Sequence, residues 1–290
     1  MADLYDLDAA AETVGADMWL WSVCPRAELD PTRRLEFVNA TETTLSGHSI
    51  VKVAGEYWSQ VKVVGKFRQH FHLESYPFDR QLIEILIEDN QFNTSQLVFQ
   101  PDTANSTYDH SISLDYFKVV KFGVGVGIHK YPTNFGDPSI PSGKGSDFSQ
   151  FTIALELSRV NLSSFVEETW PVYVAIVFTL ISYLIWSEDS MTGLTTRYGI
   201  LGAAVFALVV NMRAASQSLG AVFGVTLVDG IHLLALMYTL VALVTTTYVW
   251  RHLGTPEEKG AARRVNTVVA ITSTGLYLAV NAVMVLLALH

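Results

Sequence analysis

Cysteine is nearly missing from this chain. Cys24 stands alone among 290 residues, so no intrachain disulfide staples any part of it. Each region must hold itself together by burial, and 290 residues are enough for one or two such domains. Charge is missing from one half. Residues 170–290 hold 5 acidic and 6 basic side chains, whereas residues 1–169 hold 23 and 13. An acidic, water-facing front half therefore precedes a nearly uncharged back half. That acidic front half argues against nucleic acid as a partner and mildly favours cations or basic ligands nearby. The opening MADLYDLDAA has no apolar run and cannot act as a signal peptide; if the front half is exported, its signal is expected outside this sequence. Enzyme signals are missing too: no nucleophile motif, no zinc-type spacing and no phosphate loop. Gly123-x-Gly-x-Gly127 falls inside a strand pattern with no helix after it, a weak match to dinucleotide fingerprints. These absences argue against an enzyme. No cofactor is expected, and no residue is assigned to a metal.

What is present in residues 1–169 is strand signal. Met18-Trp19-Leu20-Trp21 is short and aromatic. Residues 49–71, SIVKVAGEYWSQVKVVGKFRQHF, favour strand throughout, with Gly55 and Gly65 as expected turn or bulge points. From Gln81 to Glu88 the pattern alternates, Ile83, Ile85 and Ile87 on one side and Leu82, Glu84, Leu86 and Glu88 on the other. Residues 114–122 and 151–157 repeat the style. Short strands broken by Gly, Pro, Asn and Asp clusters predict a β-sandwich. Residues 130–147, KYPTNFGDPSIPSGKGSD, form a long loop of a length that usually has a function.

Four apolar segments follow, at residues 170–186, 195–218, 225–250 and 265–289. Each is long enough to cross a bilayer. Pro171 is expected in the opening turn of the first, where a missing N–H costs little. Four spans return the chain to the side from which it entered. Arg251, Lys259, Arg263 and Arg264 in the linker 251–264 place that linker in the cytoplasm and the front half outside. The second segment is the unusual one. At steps of four and three, one stripe carries Gly199, Ala203, Phe206, Val210, Arg213 and Gln217, while Leu201, Ala204, Val205, Leu208 and Met212 take the other faces. Polar and ionisable groups at membrane depth usually face a cavity. A stripe that is small low down, aromatic midway and polar at the top suits a helix along a water path. The bland alternative is a tightly packed helix whose small residues let neighbours approach.

An outer β domain followed by four helices, the second rich in small residues, resembles the pentameric ligand-gated ion channels, or Cys-loop receptors. The residues that carry the resemblance are Tyr76-Pro77-Phe78-Asp79-Arg80-Gln81, similar to the family's aromatic-Pro-aromatic-Asp-x-Gln loop. Gln69 and Ile83 stand where animal members have the paired cysteines, and linker 251–264 is short, so the likeness is to the bacterial, disulfide-free branch. Arg159 resembles the arginine that pairs with the loop aspartate, here Asp79. Trp170-Pro171 resembles the top of the first helix, and Arg197 the basic residue at the inner end of the pore helix. Leu219-Gly220 stands where Leu-Pro is frequent. The likeness covers nearly the whole chain. The chain begins inside what resembles the first strand, so an earlier piece is expected to be missing. The span from Trp21 to Phe37 is shorter than usual, and the family's Trp-x-Pro segment, part of its agonist site, has no counterpart.

The resemblance implies a homopentamer in the cell membrane, with residues 1–168 as an extracellular or periplasmic ligand-sensing β-sandwich and 169–290 as a four-helix pore domain. The expected partners are four further copies, membrane lipids, permeating small ions, and a small-molecule, proton or divalent-ion modulator. Phe206 with Val210 is the expected hydrophobic gate, since apolar constrictions shut a pore by dewetting. Arg213 leans the pore toward anions or weak selectivity, because no Asp or Glu occurs from Ser190 to Val228. Glu188 and Asp189 could still favour cations at the inner end. Coupling between the halves is expected through Tyr76, Pro77, Phe78, Asp79, Arg159 and Leu219. For ligand recognition Tyr131 and Phe135, which resemble the family's capping loop, lead over Tyr116 and Trp58. His110, His129, Asp229 and His232 are candidates for proton sensing, with helix-start capping as the plainer role for Asp229 and His232. The competing reading is a membrane-anchored oligomeric sensor that does not conduct.

Overall fold

A computed structural model of the chain describes all residues except 113, 115, 139, 142, 160, 161, 187–190, 219–224 and 290, and leaves the side chains of 191 and 215–218 undescribed. Leu219, Glu188 and Asp189 lie outside the described residues, as does the side chain of Gln217. The chain divides into two compact units. One holds residues 1–71 and 80–159. The other holds 72–79 and 160–290, so the loop between two strands of the first unit belongs to the second.

The first unit is all-β. Its strands are β1 (Asp3–Asp8), β2 (Thr13–Cys24), β3 (Leu35–Phe37), β4 (Ala40–Val53), β5 (Glu56–Arg68), β6 (Arg80–Asp89), β7 (Phe117–Tyr131) and β8 (Ser146–Arg159). They form two antiparallel sheets, ordered β1-β2-β5-β4 and β3-β6-β8-β7. The period-two pattern decides which side chains turn inward. Met18, Val61 and Val63 of the first sheet and Ile83, Ile85, Ile87, Leu155 and Leu157 of the second are at most 2% exposed. Gly55 makes a turn, as expected. With Ala54 it forms a two-residue hairpin loop, both at positive φ, which matches the twist of the flanking strands. Gly65 is not a turn. It lies within β5, where a Cβ would stand 2.7 Å from the carbonyl oxygen of Glu42 on β4. The Gly123–Gly127 run lies within β7.

A buried polar knot ties the 3₁₀ turn at Pro31–Arg33 to β2 and β5. Asp30, 0% exposed, accepts from Ser59 Oγ (2.6 Å), Thr32 Oγ1 (2.7 Å), Thr32 N (3.0 Å) and Ser22 Oγ (3.3 Å), and its other oxygen meets His48 Nε2 at 3.1 Å. Burial pushes this carboxyl up, but the hydrogen bonds from Ser59, Thr32 and His48 outweigh it and hold Asp30 below the usual carboxylate range.

The second unit is helical: α1 (Leu162–Leu184), α2 (Met191–Ser218), α3 (Leu227–Arg251) and α4 (Pro256–Ala288). All four are long and apolar enough to cross a membrane. They pack around Val172, Ile176, Leu201, Leu208, Ile231, Tyr238 and Tyr277. Two boundaries differ from the sequence expectation. First, α1 starts at Leu162, so Pro171 lies inside the helix and not in its opening turn; the carbonyl four residues before it loses its helical donor. Second, the linker expected at 251–264 shrinks to residues 252–255. Thr255-Pro-Glu-Glu258 is a capping box with proline at its first position, and it starts α4 early. Glu257, Glu258, Lys259, Arg263 and Arg264 are therefore helical.

Candidate functional site: the second helix and the loop beside it

Two opposite stripes run along α2. Leu194, Arg197, Leu201, Ala204 and Leu208 recur at three and four residues and are buried, at most 5% exposed. Leu201, Ala204 and Leu208 belong to the helical core. On the other side Gly199, Gly202, Ala203, Phe206, Val209, Val210 and Arg213 are exposed. Phe206 is 72% exposed and Leu208 only 2%, although both are large and apolar. Five of the six residues of the expected water-facing stripe thus lie on the side that the chain's own helices leave open, and the side chain of the sixth, Gln217, is undescribed. Phe206 does not pack between helices of its own chain. A Cβ added at Gly199 or Gly202 meets nothing within 4 Å. Intrachain packing therefore does not require these glycines.

Arg197 departs from expectation. It is 1% exposed and does not line the open side. Its Nη2 donates to Asn266 Oδ1 of α4 at 2.9 Å, and Asn266 Nδ2 donates to the Tyr183 carbonyl of α1 at 3.1 Å. The short distance from Arg197 to Leu201, one helical turn, keeps both on the buried stripe. Its role is to tie three helices together.

The loop 72–79 packs against the helices. Its tight turns are closed by Tyr76 N to the Leu73 carbonyl and Phe78 N to the Ser75 carbonyl, and the Tyr76–Pro77 bond is cis. Tyr76, 6% exposed, donates its hydroxyl to Glu168 Oε1 of α1 at 2.8 Å. The Phe78 ring lies 5.3 Å from that of Phe165. Leu227 N, the start of α3, donates to the Glu74 carbonyl at 3.0 Å. The chain of contacts continues inward. Asn211 Nδ2 of α2 donates to the Glu168 carbonyl (3.0 Å) and meets His232 Nε2 of α3 at 2.8 Å, while His232 Nδ1 meets the Val228 carbonyl at 2.8 Å. A ring nitrogen facing a carbonyl must carry the proton, so Nδ1–H donates to Val228 and Nε2 accepts from Asn211. Tyr76, Glu168, Asn211 and His232 join the loop to three helices, and Asn211 follows Val210 directly. Asp229 caps α3: its carboxylate accepts from Thr226 N (3.0 Å) and Thr226 Oγ1 (2.9 Å), and Thr226 Oγ1 accepts from Asp229 N (3.1 Å). The plainer role expected of Asp229 is the one seen, whereas His232 pairs with Asn211.

Asp79 is 2% exposed. Arg159 ends β8 with its guanidinium 4.3 Å from the centroid of Phe117.

Of the four candidate ligand contacts, Tyr131 and Phe135 come together, ring centroids 5.1 Å apart, with Phe148 5.7 Å from Tyr131. Beneath them lies Glu88, 2% exposed, which accepts from His129 Nδ1 (2.6 Å), Gln150 Nε2 (2.7 Å) and the Tyr131 hydroxyl (3.0 Å). Burial, and then the bond to Glu88, push the Tyr131 phenol up to about 12. Trp58 stands on the other sheet, and Tyr116, 55% exposed, just precedes β7. His110 stacks edge-on against Tyr108, centroids 4.5 Å apart.

No sequence pattern points to Glu88, Glu168 or Asn211 as site residues. A carboxylate closing an alternating strand reads as solvent-facing, and only the neighbouring strands bring His129, Tyr131 and Gln150 to it. Among the described residues no group of His, Cys, Asp and Glu side chains is arranged to hold a metal ion. No family model matches the chain, and neither does any curated protein.

Proposed function

We propose that this chain is the subunit of a homopentameric, ligand- or proton-gated ion channel in a cell membrane. The four apolar helices form its transmembrane domain, and the β unit forms a sandwich outside the cell or in the periplasm. The observation that carries this reading is the two-faced α2. One side is buried in the helical core, and the other leaves glycine, alanine, phenylalanine, valine and arginine exposed. Five copies with the open stripe turned to a common axis give stacked rings, because closed rotational symmetry repeats each residue at one level. The Phe206 and Val210 rings then form the dewetting gate, and the Arg213 ring sits at the outer mouth and enriches anions.

The polar chain from Tyr76 through Glu168 to Asn211 supports a coupling role for the loop, because a shift of that loop alters hydrogen bonds made by the pore helix itself. The exposed Phe135 over Tyr131 is the ligand-facing element of the β unit.

Two measurements on the purified chain test the reading. Its mass in detergent is expected at about five times the 32.1 kDa of one chain. Planar-bilayer recordings across pH and candidate agonists are expected to show gated unitary currents. A pentamer that never conducts supports instead a membrane-anchored sensor, and a monomer sinks both.

A further inference from the structure

We infer that the outer face of the second sheet binds the phosphate of an anionic phospholipid, at the end where β6 begins and β8 finishes. The inference rests on the apolar helices lying in a bilayer and not on conduction. Lys118 and Lys121 of β7 and Arg80 of β6 carry it. On a regular strand, residues three apart face opposite ways, so plain alternation would part the two lysines. A β-bulge reunites them. Val119 pairs with Leu157 and Lys121 with Glu156, which leaves Val120 as an extra residue in the register. Leu157 is 0% exposed and faces the core, so its neighbours Glu156 and Ser158 face outward. Lys121 stands opposite Glu156 and Lys118 opposite Ser158, and both lysines therefore turn outward. On the other side of β8, Arg80 also pairs with Ser158 and shares that face. Two strand spacings put Arg80 about 10 Å from Lys118, a gap that their long side chains can close on one phosphate.

Positive charge is left over on this patch. Arg80 Nη1 reaches Glu156 Oε1 at 3.3 Å, an exposed pair of small worth. Lys118 and Lys121 are exposed and make no ion pair among the described residues. Three cations thus share the patch with one carboxylate. The next outward carboxylate, Glu84, stands four residues along β6 from Arg80, about 13 Å away. This balance runs against the rest of residues 1–169, which are strongly acidic. An anion is the ligand that such a patch attracts, and a phosphate can accept from all three side chains at once.

Two observations select a lipid over a free anion. The first is the company the cations keep. Leu82, Tyr116 and Val120 are 54%, 55% and 55% exposed. A free phosphate leaves these apolar side chains in water, whereas a lipid brings acyl chain and phosphate together. The second is the place in the chain. Arg80 opens β6, and β8 ends at Arg159, three residues before α1 starts at Leu162. The patch therefore stands on the sheet end from which the chain enters its first apolar helix. Basic residues so close to a membrane-crossing helix meet headgroups first, and anionic ones are favoured.

The test places the full chain in nanodiscs of phosphatidylcholine, alone or mixed equally with phosphatidylglycerol, and follows acetylation of each lysine by mass spectrometry. With phosphatidylglycerol present, Lys118 and Lys121 are expected to react at least about tenfold more slowly. Lys130, near the far end of the same strand, is expected to keep its rate. Arg80→Gln should restore most of the lost reactivity at both lysines. Inorganic phosphate added to pure phosphatidylcholine discs should leave both rates unchanged. No slowing, equal slowing at Lys130, or slowing indifferent to Arg80→Gln overturns the inference. Protection by inorganic phosphate alone overturns it in favour of a free anion. A chain that does not enter the discs sinks the membrane reading and this inference together, whereas an inserted chain with unprotected lysines sinks the inference alone.

Discussion

The two faces of α2 are made from similar residues and have opposite surroundings. Leu201, Ala204 and Leu208 are buried in the core shared with α1 and α3, whereas Ala203, Phe206 and Val210, one or two positions away, are exposed. Hydrophobicity alone therefore does not say which face is core. What separates them is what a packed face excludes. The buried stripe holds no glycine, whereas the open one holds two that no intrachain contact requires. Damage to the first face should appear in stability. Damage to the second should appear in conduction.

The largest expected effect lies outside α2 and sets the scale. Asp30→Ala removes a buried carboxylate and strands its donors from Ser59, Thr32 and His48, a loss of about 3–5 kcal/mol in denaturant unfolding of the β unit. Because the folded state holds this carboxyl below its unfolded value, its contribution is complete at neutral pH. It is lost as pH falls below about 4 and through the lower folded value. An unfolding curve for the variant that keeps the wild-type loss of stability in acid would show that Asp30 is not its source. Next in size, Leu208→Ala opens a cavity among the helices and should cost about 2–5 kcal/mol in thermal unfolding. A cost near zero would mean that the buried stripe is misassigned. Smaller again, Tyr76→Phe removes the hydroxyl that bonds Glu168, about 1 kcal/mol. If the loop couples to the pore, the agonist or pH midpoint moves by a comparable energy, and an unmoved midpoint confines this bond to structural support. Smallest in stability, Phe206→Ala should change unfolding by less than about 0.5 kcal/mol, as at other exposed sites, yet leave channels leakier or easier to open.

Much of this was readable before the fold was known. The alternation of Ile83, Ile85 and Ile87 fixed the inward face of β6, and four long apolar runs gave the helices. The stripe from Gly199 to Arg213 turned out to lie on the open side of α2. Other features were hidden for identifiable reasons. The start of α1 is hidden because Leu162–Thr169 carries two glutamates and reads as linker, and Pro171 draws the expected boundary toward itself. The capping box at Thr255 is masked by the charges after it, which suggest a loop. The roles of Glu88 and Asn211 depend on partners 41 and 21 residues away in the chain, a distance no local pattern spans. The expectation for Arg197 rests on its position along the helix, but its angle around the helix decides its burial.

The most direct measurement exploits the single native cysteine, which is buried. Cysteines are introduced one at a time at positions 199, 203, 206, 210 and 213, and in parallel at 201, 204 and 208. Each variant is reconstituted and exposed to a charged thiol reagent while current is recorded. The account predicts block or altered conductance at the first five positions and none at the other three. Channels modified at 201, 204 and 208 but indifferent at 203 and 206, or no current from any active-state condition, would contradict it.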